Sequence, residues 1–147
     1  MANDLILMGN KALANVQRSI SVLNKLLPNS FDRLAWWNAL SQDWKNLFFS
    51  VLEISEIAFN QKPDFYLEKL FNTTKLKIAQ KQIQDISPLG NLTQLTYLRL
   101  AHNKIQDISP LAKLENLNKL ELNGNPVTQS DIDWLQSKLP NCRITYY

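Results

Sequence analysis

Leu95-Thr96-Tyr97-Leu98-Arg99-Leu100-Ala101-His102-Asn103-Lys104-Ile105-Gln106-Asp107-Ile108-Ser109-Pro110-Leu111-Ala112-Lys113-Leu114 is the stretch whose reading decides the fold. Leu98 and Leu100 alternate with polar residues, as a short strand with one buried face requires. Asn103 breaks that strand. Beyond it, Ile105, Ile108, Leu111 and Leu114 recur every three residues, the spacing of a tight 3₁₀-like segment that turns one side inward. One strand followed by one tight return segment makes a single coil of a solenoid.

The coil repeats. Leu76, Leu98 and Leu120 are 22 residues apart, and so are Ile83 and Ile105. Ile-Gln-Asp-Ile-Ser-Pro-Leu occurs twice, from Ile83 to Leu89 and from Ile105 to Leu111. Self-similarity at this period signals stacked units that bury a shared core. With its L-x-x-L-x-L-x-x-N pattern, the region from about residue 70 to 147 resembles the leucine-rich repeat family, in the short form found in bacterial internalin-like proteins. The resemblance implies an α/β solenoid: a stack of leucine-rich repeats with a short parallel sheet on its concave side. It also implies an asparagine that bonds backbone groups across coils. Asn103 and Asn125 fill that position, but Lys81 stands there in the first coil, so the ladder is expected to start at the second.

A third coil begins at Leu117 and runs through Leu120, Leu122 and Asn125. Its return segment differs: Gln129 to Lys138 reads as a true helix with Ile132, Leu135 and Leu139 inward, capped by Thr128 or Ser130. Adding 22 to Leu120 gives Cys142, which predicts a closing strand Cys142-Arg143-Ile144 with the thiol in a leucine position, as a small buried hydrophobe.

A solenoid leaves an apolar end that needs a cap. The preceding residues are read as an α-helical N-terminal cap region, 1–72, ahead of repeats and their C-terminal helix and strand in 73–147. Leu13, Val16, Ile20, Leu23 and Leu27 lie on one face of a helix capped at Asn10 and ended by Pro28. That face is either core or a short coiled-coil seam joining two copies. Trp36 and Trp37 sit on a second helix, and one of them is either packed inside or exposed as a binding anchor. Ser41 caps a third, with Trp44, Leu47, Phe48, Val51 and Leu52 as its buried stripe. Ile57 to Phe59 reads as a short strand. Pro63 opens a last helix, running to Phe71.

The 147 residues are 45% hydrophobic and 20% charged, with a net charge of +3, which suits a folded domain and is too mild an excess to argue for nucleic acid. One cysteine forms no internal disulfide, and the first residues lack a basic signal-peptide start, so a cytoplasmic setting is expected. Many internalin-like proteins are exported. Lone His102 and lone Cys142 supply neither a metal site nor a nucleophile with its base, and three glycines form no phosphate loop. Asp85 and Asp107 precede Ser-Pro turns and read as turn-binding carboxylates. No catalytic residue, cofactor or metal is expected.

The concave face remains. By strand alternation Lys75, Lys77, Ala79 and Gln80 face out, then Tyr97, Arg99, Ala101 and His102, then Lys119, Glu121 and Asn123, then Asn141, Arg143 and Thr145. The 22-residue register groups Lys77, Arg99, Glu121 and Arg143 in one row, and Lys75, Tyr97, Lys119 and Asn141 in another. The expected function is a non-catalytic protein-interaction module. A partner with an acidic surface would meet Lys75, Lys77, Tyr97, Arg99, His102, Lys119, Glu121 and Arg143. The alternative is a structural or regulatory subunit that docks or self-associates through its N-terminal helices. No membrane contact is expected.

Overall fold

The computed structural model describes residues 14–19 and 31–147, which fall in two compact units, 1–40 and 41–147. In the first unit residues 14–19 are helical, and Val16 is 54% exposed. Asn10, Leu13, Ile20, Leu23, Leu27 and Pro28 lie outside the described residues. Helix α1, Arg33–Ala39, starts at Asp32, whose carboxylate accepts the Ala35 N–H at 3.0 Å. It carries both tryptophans: Trp37 is buried and Trp36 half-buried.

The second unit opens with three helices. Helix α2, Gln42–Leu52, begins where the Ser41 hydroxyl accepts the Trp44 N–H at 3.3 Å, with Asp43 in the first turn. It stops at Glu53, in the left-handed region at φ 56°, and the Ile54 N–H closes back onto Phe49 O at 3.0 Å. Of the five residues expected in its stripe, Trp44, Phe48 and Leu52 are buried, whereas Leu47 and Val51 are half-buried.

Ile57–Phe59 is helical, not a strand. It lies in α3, Glu56–Gln61, which the Ser55 hydroxyl caps through the Ala58 N–H. The local cap and the packing of Phe59 against Phe49, 5.7 Å between ring centroids, override the strand preference of isoleucine and phenylalanine. Helix α4, Pro63–Phe71, has proline in its first turn and buries Leu67, Leu70 and Phe71.

Four three-residue strands follow: β1 Lys75–Lys77, β2 Tyr97–Arg99, β3 Lys119–Glu121 and β4 Arg143–Thr145. They form one parallel sheet in chain order. Leu76, Leu98 and Leu120 pair side by side and are at most 1% exposed. Ile78, Leu100 and Leu122 make the next apolar row. The chain returns through 3₁₀ turns at Ser87–Asn91 and Ser109–Lys113, where Asp85 and Asp107 accept the N–H of Ser87 and Ser109 at 2.9 Å. Ile86, Leu89 and Leu92 stack on Ile108, Leu111 and Leu114 on the inner side of these returns, all buried.

Asn103 is the buried polar side chain among the described residues. Its amide donates to Ile78 O and Leu100 O at 2.9 and 2.8 Å and accepts from the N–H of Lys81 and Ile83. Asn125 repeats the pattern one coil later, on Leu100 O, Leu122 O and the Ile105 N–H. Each asparagine thus serves the coil before it. The helices close the first coil: Trp44 is buried, and its indole N–H donates to Asp85 O at 3.1 Å.

The last strand departs from the 22-residue count. β3 pairs with β4 as Lys119 with Arg143, Leu120 with Ile144 and Glu121 with Thr145. The step is therefore 24 residues, from Leu120 to Ile144, and Cys142 lies outside the leucine row. The cause is helix α5, Gln129–Lys138, a ten-residue α-helix where earlier returns use five-residue 3₁₀ turns. An α-helix rises about 1.5 Å per residue against about 2.0 Å for a 3₁₀ helix, so the same arc takes more residues. Cys142 is still buried, and burial pushes its thiol up to about 11. The thiol is thus protonated at neutral pH.

Candidate functional site

The outward residues of the sheet form two rows, set by strand pairing. Lys75, Tyr97, Lys119 and Arg143 make one; Lys77, Arg99, Glu121 and Thr145 make the other. The shift of β4 moves Arg143 out of the row of Lys77 and Arg99 and puts Thr145 in its place. Asn141 precedes β4 and joins neither row. Five cations face one carboxylate.

That carboxylate is the centre of the face. Glu121 takes Lys119 Nζ at 2.7 Å and Arg99 Nε at 3.3 Å, and it accepts the Tyr97 hydroxyl at 3.1 Å. Hydrogen bonding from Lys119 is the main cause that holds its carboxyl below the usual range, with Tyr97 and the nearby charges adding to it against the cost of burial. The Tyr97 ring lies between two lysines, with Lys119 Nζ 5.1 Å and Lys77 Nζ 5.8 Å from its centroid. Tyr97 and Glu121 are thereby fixed in place. Lys75, Lys77 and Arg143 have no carboxylate within ion-pairing distance among the described residues.

Ala101 and His102, also expected on the face, are not on it. Ala101 is buried. His102 lies past the end of β2, with its backbone left-handed at φ 56°, its N–H on Asn123 O at 2.7 Å and its ring beside Gly124. It is exposed at the edge, on a turn. Conversely, strand alternation carried to Thr145 did not show its place in the row of Arg99 and Glu121, because that depended on the length of α5.

A second concavity, of about 750 Å³, opens between α2 and the return of the first coil, with Trp44, Leu47, Lys81, Ile83 and Asp85 in its wall. No short sequence signal marks it, since its two sides are some forty residues apart in the chain. Among the described residues no group of three His, Cys, Asp or Glu side chains could hold a metal ion, and no helix is long and apolar enough to cross a membrane.

A family model described as leucine-rich repeats, in two copies, matches residues 74–111 and 93–137. Among solved structures, an internalin from Listeria monocytogenes is 28% identical over 72% of this chain and 29% of its own, with a TM-score of 0.54. A leucine-rich repeat protein from Leptospira interrogans is 30% identical over 40% of this chain and 15% of its own, at a TM-score of 0.37. Internalin C2 of Listeria monocytogenes is 27% identical over 45% of this chain and 38% of its own, at 0.34. The chain thus spans less than a third of the first of these structures. No curated protein matches it. Period, asparagine ladder, parallel sheet and the family model agree: residues 74–137 are leucine-rich repeats, similar to those of the first internalin.

Proposed function

We propose that this protein is a non-catalytic interaction module whose concave sheet face binds a protein with an acidic surface. Leucine-rich repeats generally mediate protein–protein contacts, and a preformed sheet lowers the ordering cost of binding. The observation that carries the reading is the pair of outward rows in which five cations face Glu121 alone, with Tyr97 held between lysines. Arginine and tyrosine are common at protein interfaces. Four strands span only about 15 Å. That patch is smaller than the roughly 800 Å² a partner usually covers, so affinity is modest unless other surfaces contribute.

Lys77→Glu combined with Arg99→Glu tests it. Capture of the partner from native cell extract is lost in the double variant while its circular dichroism is unchanged. Undiminished capture dismisses the concave face. A second reading, docking through the N-terminal helices, is supported by the 54% exposure of Val16 on its helical stretch. It predicts an oligomer in solution that Val16→Asp dissociates. The single, buried cysteine supports a reducing, cytoplasmic setting for either reading.

A further inference from the structure

We propose that the face selects an extended acidic segment whose two carboxylates lie four residues apart, and that Glu121 sets this spacing by occupying the cations in the middle of the sheet. The inference rests on the acidic-partner reading and goes on to specify the partner's chemistry.

The five cations are not equivalent. Arg99 and Lys119 already hold Glu121, at 3.3 and 2.7 Å, and the Tyr97 hydroxyl donates to the same carboxylate. A ligand carboxylate arriving at the centre therefore meets a carboxylate already in possession of the donors. The ends differ. Lys75 and Lys77 on β1 and Arg143 on β4 are exposed, and no described carboxylate pairs with them. Unpaired cationic ends flank a middle whose two cations share one carboxylate.

Strand pairing fixes the distance between the ends. Lys75 and Arg143 belong to one row, three strand steps apart. At about 4.8 Å per step that is about 14 Å. An extended chain advances about 3.3–3.6 Å per residue, so four residues cover the gap. Side chains alternate with a period of two, so residues i and i+4 point the same way. The three residues between them cross Tyr97 and Lys119. A helix of the same reach would need roughly ten residues, at 1.5 Å each, and an apolar side to seat. The face offers one ring between two ammonium groups, so an extended polar segment fits it better.

The test uses the full chain and three blocked peptides of equal length, titrated at low salt and followed by NMR. One carries two aspartates four residues apart, one two adjacent aspartates, and one two asparagines four apart. The expected result is binding of the four-apart peptide about fivefold tighter than the adjacent one, the size of one exposed ion pair, with shifts at Lys75, Lys77 and Arg143. Glu121→Gln should narrow that ratio to below about twofold by improving the adjacent peptide. Equal affinity of the two acidic peptides for the wild type overturns the spacing and leaves the acidic-partner reading standing. An unchanged ratio in Glu121→Gln overturns the role given to that residue. Acidic peptides that bind no better than the asparagine peptide overturn both proposals.

Discussion

Asn103 shows how one side chain joins two coils. Its amide satisfies two carbonyls and two N–H groups that the turn after each strand leaves unpaired. Alanine there strands those groups where water has little access. We expect Asn103→Ala to cost about 3 kcal/mol, read as a fall in the urea midpoint, since each buried group left unpaired costs about 1–3 kcal/mol. Gly124 is constrained differently. Its φ is +72°, and an added Cβ would collide with His102 Nδ1. Gly124→Ala should lose about 1–2 kcal/mol from the left-handed backbone alone, and more from the ring. His102→Ala in the same chain should return only the part due to the ring, as a double-mutant cycle would measure. Both asparagines were legible from the sequence through their spacing. The position of His102 was not, because strand alternation cannot tell where a strand yields to a left-handed turn.

Among the elements, helix α5 has the most explicit start. Thr128 Oγ1 accepts the Asp131 N–H at 3.2 Å, and Asp131 Oδ2 accepts the Thr128 N–H at 3.0 Å and its hydroxyl at 2.7 Å. Thr128→Ala should therefore cost about 1 kcal/mol in thermal or urea unfolding. The same bonds lower the Asp131 pKa, as the Ser109 hydrogen bonds lower that of Asp107 and the Lys119 bond that of Glu121. A carboxyl with a lowered folded pKa binds fewer protons folded than unfolded, so it stabilises the fold above its ordinary pKa of about 4. That contribution drains away as the pH falls through the lower, folded value. Stability measured from pH 6 to 2 should thus decline below about 4.5, and Thr128→Ala should decline less steeply. The starts of α2 at Ser41 and of α5 at Thr128 were readable in advance. The six-residue α3 was not, because three apolar residues in a row fit strand and helix equally well.

At the scale of the whole molecule, coils of a solenoid touch only their neighbours, so an end can open alone unless the interfaces are strong. Here three amides report on successive interfaces: Ile78 N–H bonds Arg99 O at 2.9 Å, Leu100 N–H bonds Glu121 O at 2.8 Å, and Leu122 N–H bonds Thr145 O at 2.6 Å. With apolar rows continuous from coil to coil and the first coil covered by α2, we expect these amides to exchange with solvent with one shared free energy. Faster exchange at Leu122 would mean that the last coil opens on its own. Repeat and sheet were legible from the sequence because the leucine rows obey a strict count. The last register was not, because a count assumes that every return has the same form. The two additional residues of the final return carry a wider lesson about this architecture. The sheet takes its alignment from the pairing of strands, while the outer arc absorbs differences in length. Evolution and the protein engineer alike are thus free to splice residues into the back of the molecule while the face of its sheet stays where it is.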